Sequence, residues 1–265
     1  AAEAGAALAA GVEVAAIEPG DGVVLAGGER IAARAVIANA DPKRTLALCP
    51  PAAVPAAFRD RVETWRTDSP VVKINCALSR LPAFRATTDT PPHRGSVTIT
   101  TGIDDTQAAC EAAKRGEPAP QWCELYFQSA YDPSIAAPGM HTMSVFAQYA
   151  PYELARGTWA QRRESIGDVA IGAIARFAPD VADVIVHREV LGPPDVEARI
   201  GLTGGHIFQG ECLPDQMWWR RFAPRTPVPD LYLCGAATHP GGSVIGVNGR
   251  NAAQAVLEDL GARAR

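Results

Sequence analysis

Residues 235 to 250 read Gly-Ala-Ala-Thr-His-Pro-Gly-Gly-Ser-Val-Ile-Gly-Val-Asn-Gly-Arg, a composition suited to gripping a ligand with backbone. Glycines at 241, 242, 246 and 249 put no Cβ between the main chain and a bound molecule. A helix starting near Asn248 aims unpaired N–H groups and a partial positive charge out of the same turn. That chemistry suits a ligand edge on which negative charge develops. Strand–glycine–helix joints also serve as plain packing elements in α/β folds, so spacing alone leaves both readings open.

Other chemistries find less support. Gly242-Ser243-Val244-Ile245-Gly246 lacks the G-x-S-x-G spacing that exposes a nucleophilic serine, which argues against a serine hydrolase. His93, His141, His187, His206 and His239 contain no HExxH or close pair, and no metal site is expected. The six cysteines form no CxxC and read as free thiols of a reducing, cytoplasmic compartment. Net charge is −4 with no basic run, so nucleic acid is not an expected partner and a small molecule is. No apolar run approaches the roughly 20 residues of a membrane span; peripheral membrane contact stays open. Trp218 and Trp219, with Phe208 and Phe222, suit either the wall of an apolar substrate tunnel or ordinary core packing.

Elements must hold these residues in place. Ala1–Ala10 reads as the end of an alanine-rich helix stopped by Gly11; it lacks the basic start of a signal peptide and begins without methionine, as though cut from something longer. Alternation and turn residues predict strands at 12–18, 23–26 and 29–31, and the apolar run Ala35–Ala38 reads as a strand buried on both faces. From Pro42 to Arg225 the character changes. Prolines recur between strand-like pieces at 71–78, 96–101, 122–128, 140–148 and 184–190. Trp159–Phe177 carries a helical stripe of Ile166, Val169, Ala170, Ala173, Ile174 and Phe177. The buried-strand pattern returns at Leu231–Cys234, and a helix follows from about Asn248 to Leu260 with Ala252, Ala253, Val256, Leu257 and Leu260 on its apolar face. The expected fold is α/β in a mixed α+β arrangement: an incomplete Rossmann-like nucleotide-binding domain, residues 1–41 and 226–265, with an antiparallel-sheet substrate domain inserted at 42–225.

A resemblance identifies the nucleotide. Leu231-Tyr232-Leu233-Cys234-Gly235, then His239-Pro240-Gly241-Gly242-Ser243-Val244, then Gly249-Arg250-Asn251-Ala252-Ala253 are similar to the C-terminal FAD motif of the phytoene desaturase and flavin amine oxidase superfamily. Gly204-Gly205-His206-Ile207-Phe208-Gln209 stands where relatives carry Gly-Gly-Asn-Ile-Phe-His, and Ala38–Pro42 resembles the return into their substrate domain. The resemblance implies an FAD-dependent dehydrogenase or desaturase passing a hydride from an apolar or mixed substrate to flavin N5. It implies cofactor contacts from Val14, Asn39, Gly235, Ala236, Gly241, Gly242, Ser243, Val244, Gly246 and Asn248, with His239 first, then His206 and Glu211, as polar groups near the chemistry. Three departures stand out. Ser243 replaces a glycine, Ala236 replaces an acidic residue, and no GxGxxG occurs anywhere in residues 1–265. The last predicts weak FAD binding by these residues alone, and it keeps a second reading open, a non-catalytic binding or regulatory module on the same scaffold.

Overall fold

Glycine turns fold residues 14–32 into a three-stranded antiparallel meander, the opening piece of the computed structural model, which describes residues 1–68, 71–86 and 91–263. Its strands are β1 (Val14–Glu18), β2 (Gly22–Leu25) and β3 (Arg30–Ala32). Gly22, at φ 141°, lies so close to β3 that a Cβ there would sit 2.0 Å from the Ile31 carbonyl oxygen. The chain continues through β4 (Val36–Ala38), α1 (Pro42–Ala47), α2 (Ala56–Glu63), β5 (Val71–Leu78), β6 (Val97–Ile99), α3 (Ile103–Lys114), β7 (Trp122–Tyr126) and β8 (His141–Gln148). After these come α4 (Trp159–Ala175), α5 (Val181–Val184), β9 (Ile185–Leu191), α6 (Pro193–Ile200), β10 (Leu231–Leu233) and α7 (Val247–Arg263).

Two compact units result, Ala1–Thr67 with Ile207–Arg265, and Asp68–His206. The second unit is shorter at both ends than the 42–225 expected. Side-chain packing explains the difference: Val62 and Trp65 bury with Phe222, Leu233 and Ala237 in one cluster, which draws α2 and the residues around 222 into the first unit.

In the first unit β10 pairs in parallel with β4, Leu231 opposite Val36 and Leu233 opposite Ala38. β10 is buried throughout. β4 is not the doubly buried strand expected, since Ile37 is 45% exposed. A two-stranded sheet covers β4 less than a wide one would. The alanine-rich start also departs from expectation: only Ala2–Ala4 forms a 3-10 turn, ended by Gly5 in the left-handed region, and residues 1–13 are exposed. Alanine methyls bury too little surface to hold a short helix without packing partners. In α7 the inner residues are Ala252, Ala255 and Val256, while Leu257 is 69% exposed, so the apolar stripe runs one position out of phase with the one expected.

The second unit is a five-stranded antiparallel sheet in the order β6-β7-β8-β5-β9. One face gives Val72, Ile74, Leu78, Leu125, Met143 and Val145 to a core with Ile166, Ala170 and Ile174 of α4. Gly167 permits that contact, because a Cβ there would meet Val190 at 2.7 Å. A capping box of Thr158 and Gln161 opens α4. Val169 and Phe177, expected in the stripe, are 41% and 37% exposed.

Candidate functional site

The first unit folds the 235–250 segment into a loop that other residues hold rigidly. β10 ends where the Cys234 N–H donates to the Ala38 carbonyl at 2.9 Å. Gly235 follows in a space with no room for a side chain: a Cβ would lie 2.3 Å from Gln209 Oε1 and 2.9 Å from the Asn39 carbonyl. Gln209 stitches the two strand ends together, donating to the Asn39 carbonyl at 3.0 Å and accepting from the Ala237 N–H at 3.2 Å. Thr238 is fully buried and turns back, its N–H and hydroxyl both donating to the Gly235 carbonyl. Asn248 closes the loop from the first turn of α7. Its Nδ2 donates to the Thr238 carbonyl and Oγ1, both at 2.9 Å, and to the Gly235 carbonyl at 3.3 Å.

Beneath this loop lies Arg221, which sequence reading alone did not single out. It is 3% exposed and donates to the carbonyls of Phe208, Ala236, Gly210 and Glu211. Its Nε is buried and has no hydrogen-bond partner. Gly241, at φ 120°, packs on it; a Cβ would be 3.4 Å from that Nε. Burial pulls the guanidinium below its usual range, with Cys212 acting in the opposite sense. α2 and its C-terminal neighbours support the group from behind: Trp65 donates to the Gln209 carbonyl at 2.9 Å, and Arg61 lies over the Phe222 ring at 4.4 Å.

Ahead of these braces the backbone is open. Gly242 is crowded by Phe208, 2.6 Å from a Cβ, but residues 243–246 are exposed. Val244 holds a positive φ of 56°, costly for a β-branched residue, and its side chain is fully exposed. Among the described residues, the N–H groups of residues 241–246 donate to no carbonyl. These six residues lead directly into a 17-residue helix.

The loop thus brings together Asn39, Gly235, Ala236, Gly241, Gly242, Ser243, Val244, Gly246 and Asn248. Val14 stands apart on the three-stranded sheet. His239 is exposed; its backbone N–H donates to the Phe222 carbonyl at 3.0 Å, and its carbonyl accepts from Asn251 at 3.3 Å. Glu211 is committed to an ion pair with Arg66 at 2.7 Å, which Asp215 also joins. His206 is buried as the last residue of the second unit. Trp218 and Trp219 are not core: they stack 5.9 Å apart and are 51% and 78% exposed, whereas Phe222 is core.

A strand end parallel to its neighbour, a braced glycine loop and a long helix after it are the arrangement found in dinucleotide-binding α/β folds. No protein-family model matches the chain. The curated relatives do place it. It is 41% identical over 255 residues to the rat pyridine nucleotide-disulfide oxidoreductase domain-containing protein 2, covering 90% of this chain and 44% of that protein. It is 30% identical over 142 residues to the lycopene-forming phytoene desaturase of Pseudescherichia vulneris, covering 51% of this chain and 29% of the relative. Among solved structures, a cofactor-binding variant of putrescine oxidase superposes with a TM-score of 0.52 at 15% identity, over 95% of this chain and 48% of that one. The chain belongs to the phytoene desaturase and flavin amine oxidase superfamily. It spans less than half the length of the curated relatives it matches. Among the described residues no helix is long and apolar enough to cross a membrane.

Proposed function

We propose that this chain forms the flavin-facing part of an FAD-dependent dehydrogenase or desaturase. The observation that carries the reading is the run of amides at residues 241–246 that donate to no carbonyl, following a turn at 235–238 that Asn248, Gln209 and Arg221 brace. The fit to the flavin end of FAD is good. Gly235, Gly241 and Gly242 keep Cβ atoms out of the loop, and amide hydrogens with the head of α7 favour an edge that gathers negative charge. FAD, when bound, supplies the two-electron acceptor that no side chain of this protein provides. The chain's own part is to hold that cofactor edge, with Ser243 and Val244 at the exposed rim and Asn39 and Ala236 at the base of the loop. The first unit serves in this reading as the remainder of the FAD-binding domain, and the second unit as the substrate domain.

For proton handling, exposed His239 is the candidate, since Glu211 is neutralised by Arg66. Val14, through its backbone, is the contact proposed for the adenine end. No GxGxxG exists in residues 1–265 to cradle the diphosphate, so the 265-residue chain alone is expected to bind FAD more weakly than micromolar. Quenching of FAD fluorescence upon titration measures this; micromolar affinity would refute it. A longer natural protein containing this chain is expected to purify with flavin absorbance and to lose it when Asn248 becomes Ala. A colourless longer protein that takes up no FAD would favour the second reading, a non-catalytic binding module, to which Ala236 and the missing diphosphate cradle lend support.

A further inference from the structure

Strand alternation gives the sheet of the second unit one apolar face and one mixed face. On the mixed face the register sets Glu124, Phe146, Lys73 and Leu191 in one row across four strands. The next row is Tyr126, Ser144, Asn75 and Glu189, and the third is Thr142, Ala77 and His187. The β8–β5–β9 portion floors an open recess of about 790 Å³, lined in part by Asn75, Thr142, Ser144, Gln128 and Ile135.

Lys73, in the first of these rows, is half-buried, and its ammonium donates to Ser144 Oγ. Among the described residues no carboxylate forms an ion pair with it. The acids of the same face are already engaged, Glu124 by the Ser96 hydroxyl at 2.9 Å and Glu189 by Arg199 at 2.8 Å. Burial pulls the Lys73 pKa below the usual lysine range, against the opposing pull of the Glu124 charge. An ammonium carries three donors, and among the described residues this half-buried one has a single, neutral hydrogen-bond partner. Ser144, the lysine's partner, and Thr142 both line the recess, and Thr142 Oγ1 is buried with no hydrogen-bond partner. Trp122 and Phe146 meet edge-on, centroids 6.3 Å apart, and form an aromatic wall beside the lysine.

We infer that this sheet face binds a small organic carboxylate, its anionic group held by Lys73 and Ser144 and its apolar body lying along the aromatic wall and the recess. As a binding site it stands on the second unit's own geometry; as the substrate site it rests on the oxidoreductase reading, and it then requires a substrate that carries an acid group. The probes are 4-phenylbutyrate and its neutral amide, 4-phenylbutyramide, titrated into the whole chain by calorimetry and ligand-observed NMR without FAD. The acid is expected to bind at least roughly tenfold tighter than the amide, the scale of one charge-assisted contact. Lys73→Met is expected to abolish that preference, and Ser144→Ala to weaken the acid alone. Equal binding of acid and amide, binding of neither, or a preference that survives Lys73→Met would overturn the inference. Should Lys73→Met fail to fold, by circular dichroism, the acid–amide comparison on the unaltered chain decides. Because FAD is absent from this titration, its failure is separable from a failure of the flavin reading.

Discussion

Arg221 brings a guanidinium into a site 3% exposed, where four carbonyls rather than a carboxylate receive it. Removing it would leave those oxygens buried and unpaired. Arg221→Met is therefore expected to cost about 3 kcal/mol or more, read as a lower urea midpoint at unchanged slope. Arg221→Lys should recover only part of this, since an ammonium cannot span both pairs of carbonyls. Asn248→Ala removes three contacts from one amide and is expected to cost about 1–2 kcal/mol in the same assay. Asn248 was legible from its place before a helix in a glycine-rich turn. Arg221 and Gln209 were not, because their partners lie at 208–211, 236 and 39, and nothing in local spacing announces contacts across such distances.

At the scale of elements, the loop's glycines differ in what they do. Gly235 has no space for a Cβ, Gly246 has space but φ 73°, and Gly249 has space and needs no left-handed backbone. Melting temperatures of the three alanine variants should therefore rank Gly249→Ala highest and Gly235→Ala lowest, with Gly246→Ala about 1 kcal/mol below the parent. A flat ranking would mean that the loop adjusts freely. Strand positions 71–78 were read directly from alternation, and the structure has β5 over the same residues. The short helices α1, α2 and α6 fall in the proline-rich stretch whose pattern showed only strand-like pieces and the one long helix. Pro42 and Pro193 occupy the first turns of α1 and α6, and Pro55 precedes α2, positions where a missing N–H costs nothing. Asp41 shows the same logic, its carboxylate accepting from the Arg44 N–H to cap α1.

Across the whole molecule, buried thiols link stability to pH. Burial pushes Cys76 up to about 11 and Cys123 up to about 12, from an ordinary value near 9. The folded state thus holds these protons more tightly than the unfolded one. That contribution is complete below pH 9 and is lost as pH rises through 11 to 12. Chemical denaturation between pH 8 and 11 should show stability falling at the alkaline end, less steeply in a Cys76→Ala, Cys123→Ala double variant. In a thiol-labelling time course on the native protein, exposed Cys212 should react before Cys76 and Cys123. Labelling of all three at one rate would mean that the second unit's core opens freely.

What the amino-acid order determined by itself was local: strand alternation in the second unit, the glycine turn at 235–249, the helix behind it, and the superfamily written in Leu231–Ala253. These depend on neighbours a few residues apart. Tertiary structure decided what depends on distant partners. It drew α2 and Phe222 into the first unit through a shared aromatic core, set Arg221 beneath the glycine loop, and committed Glu211 to Arg66. It also lined up Lys73, Phe146 and Glu124 across three strands. Cross-strand register and side-chain burial are properties of packing, and only the folded chain sets them.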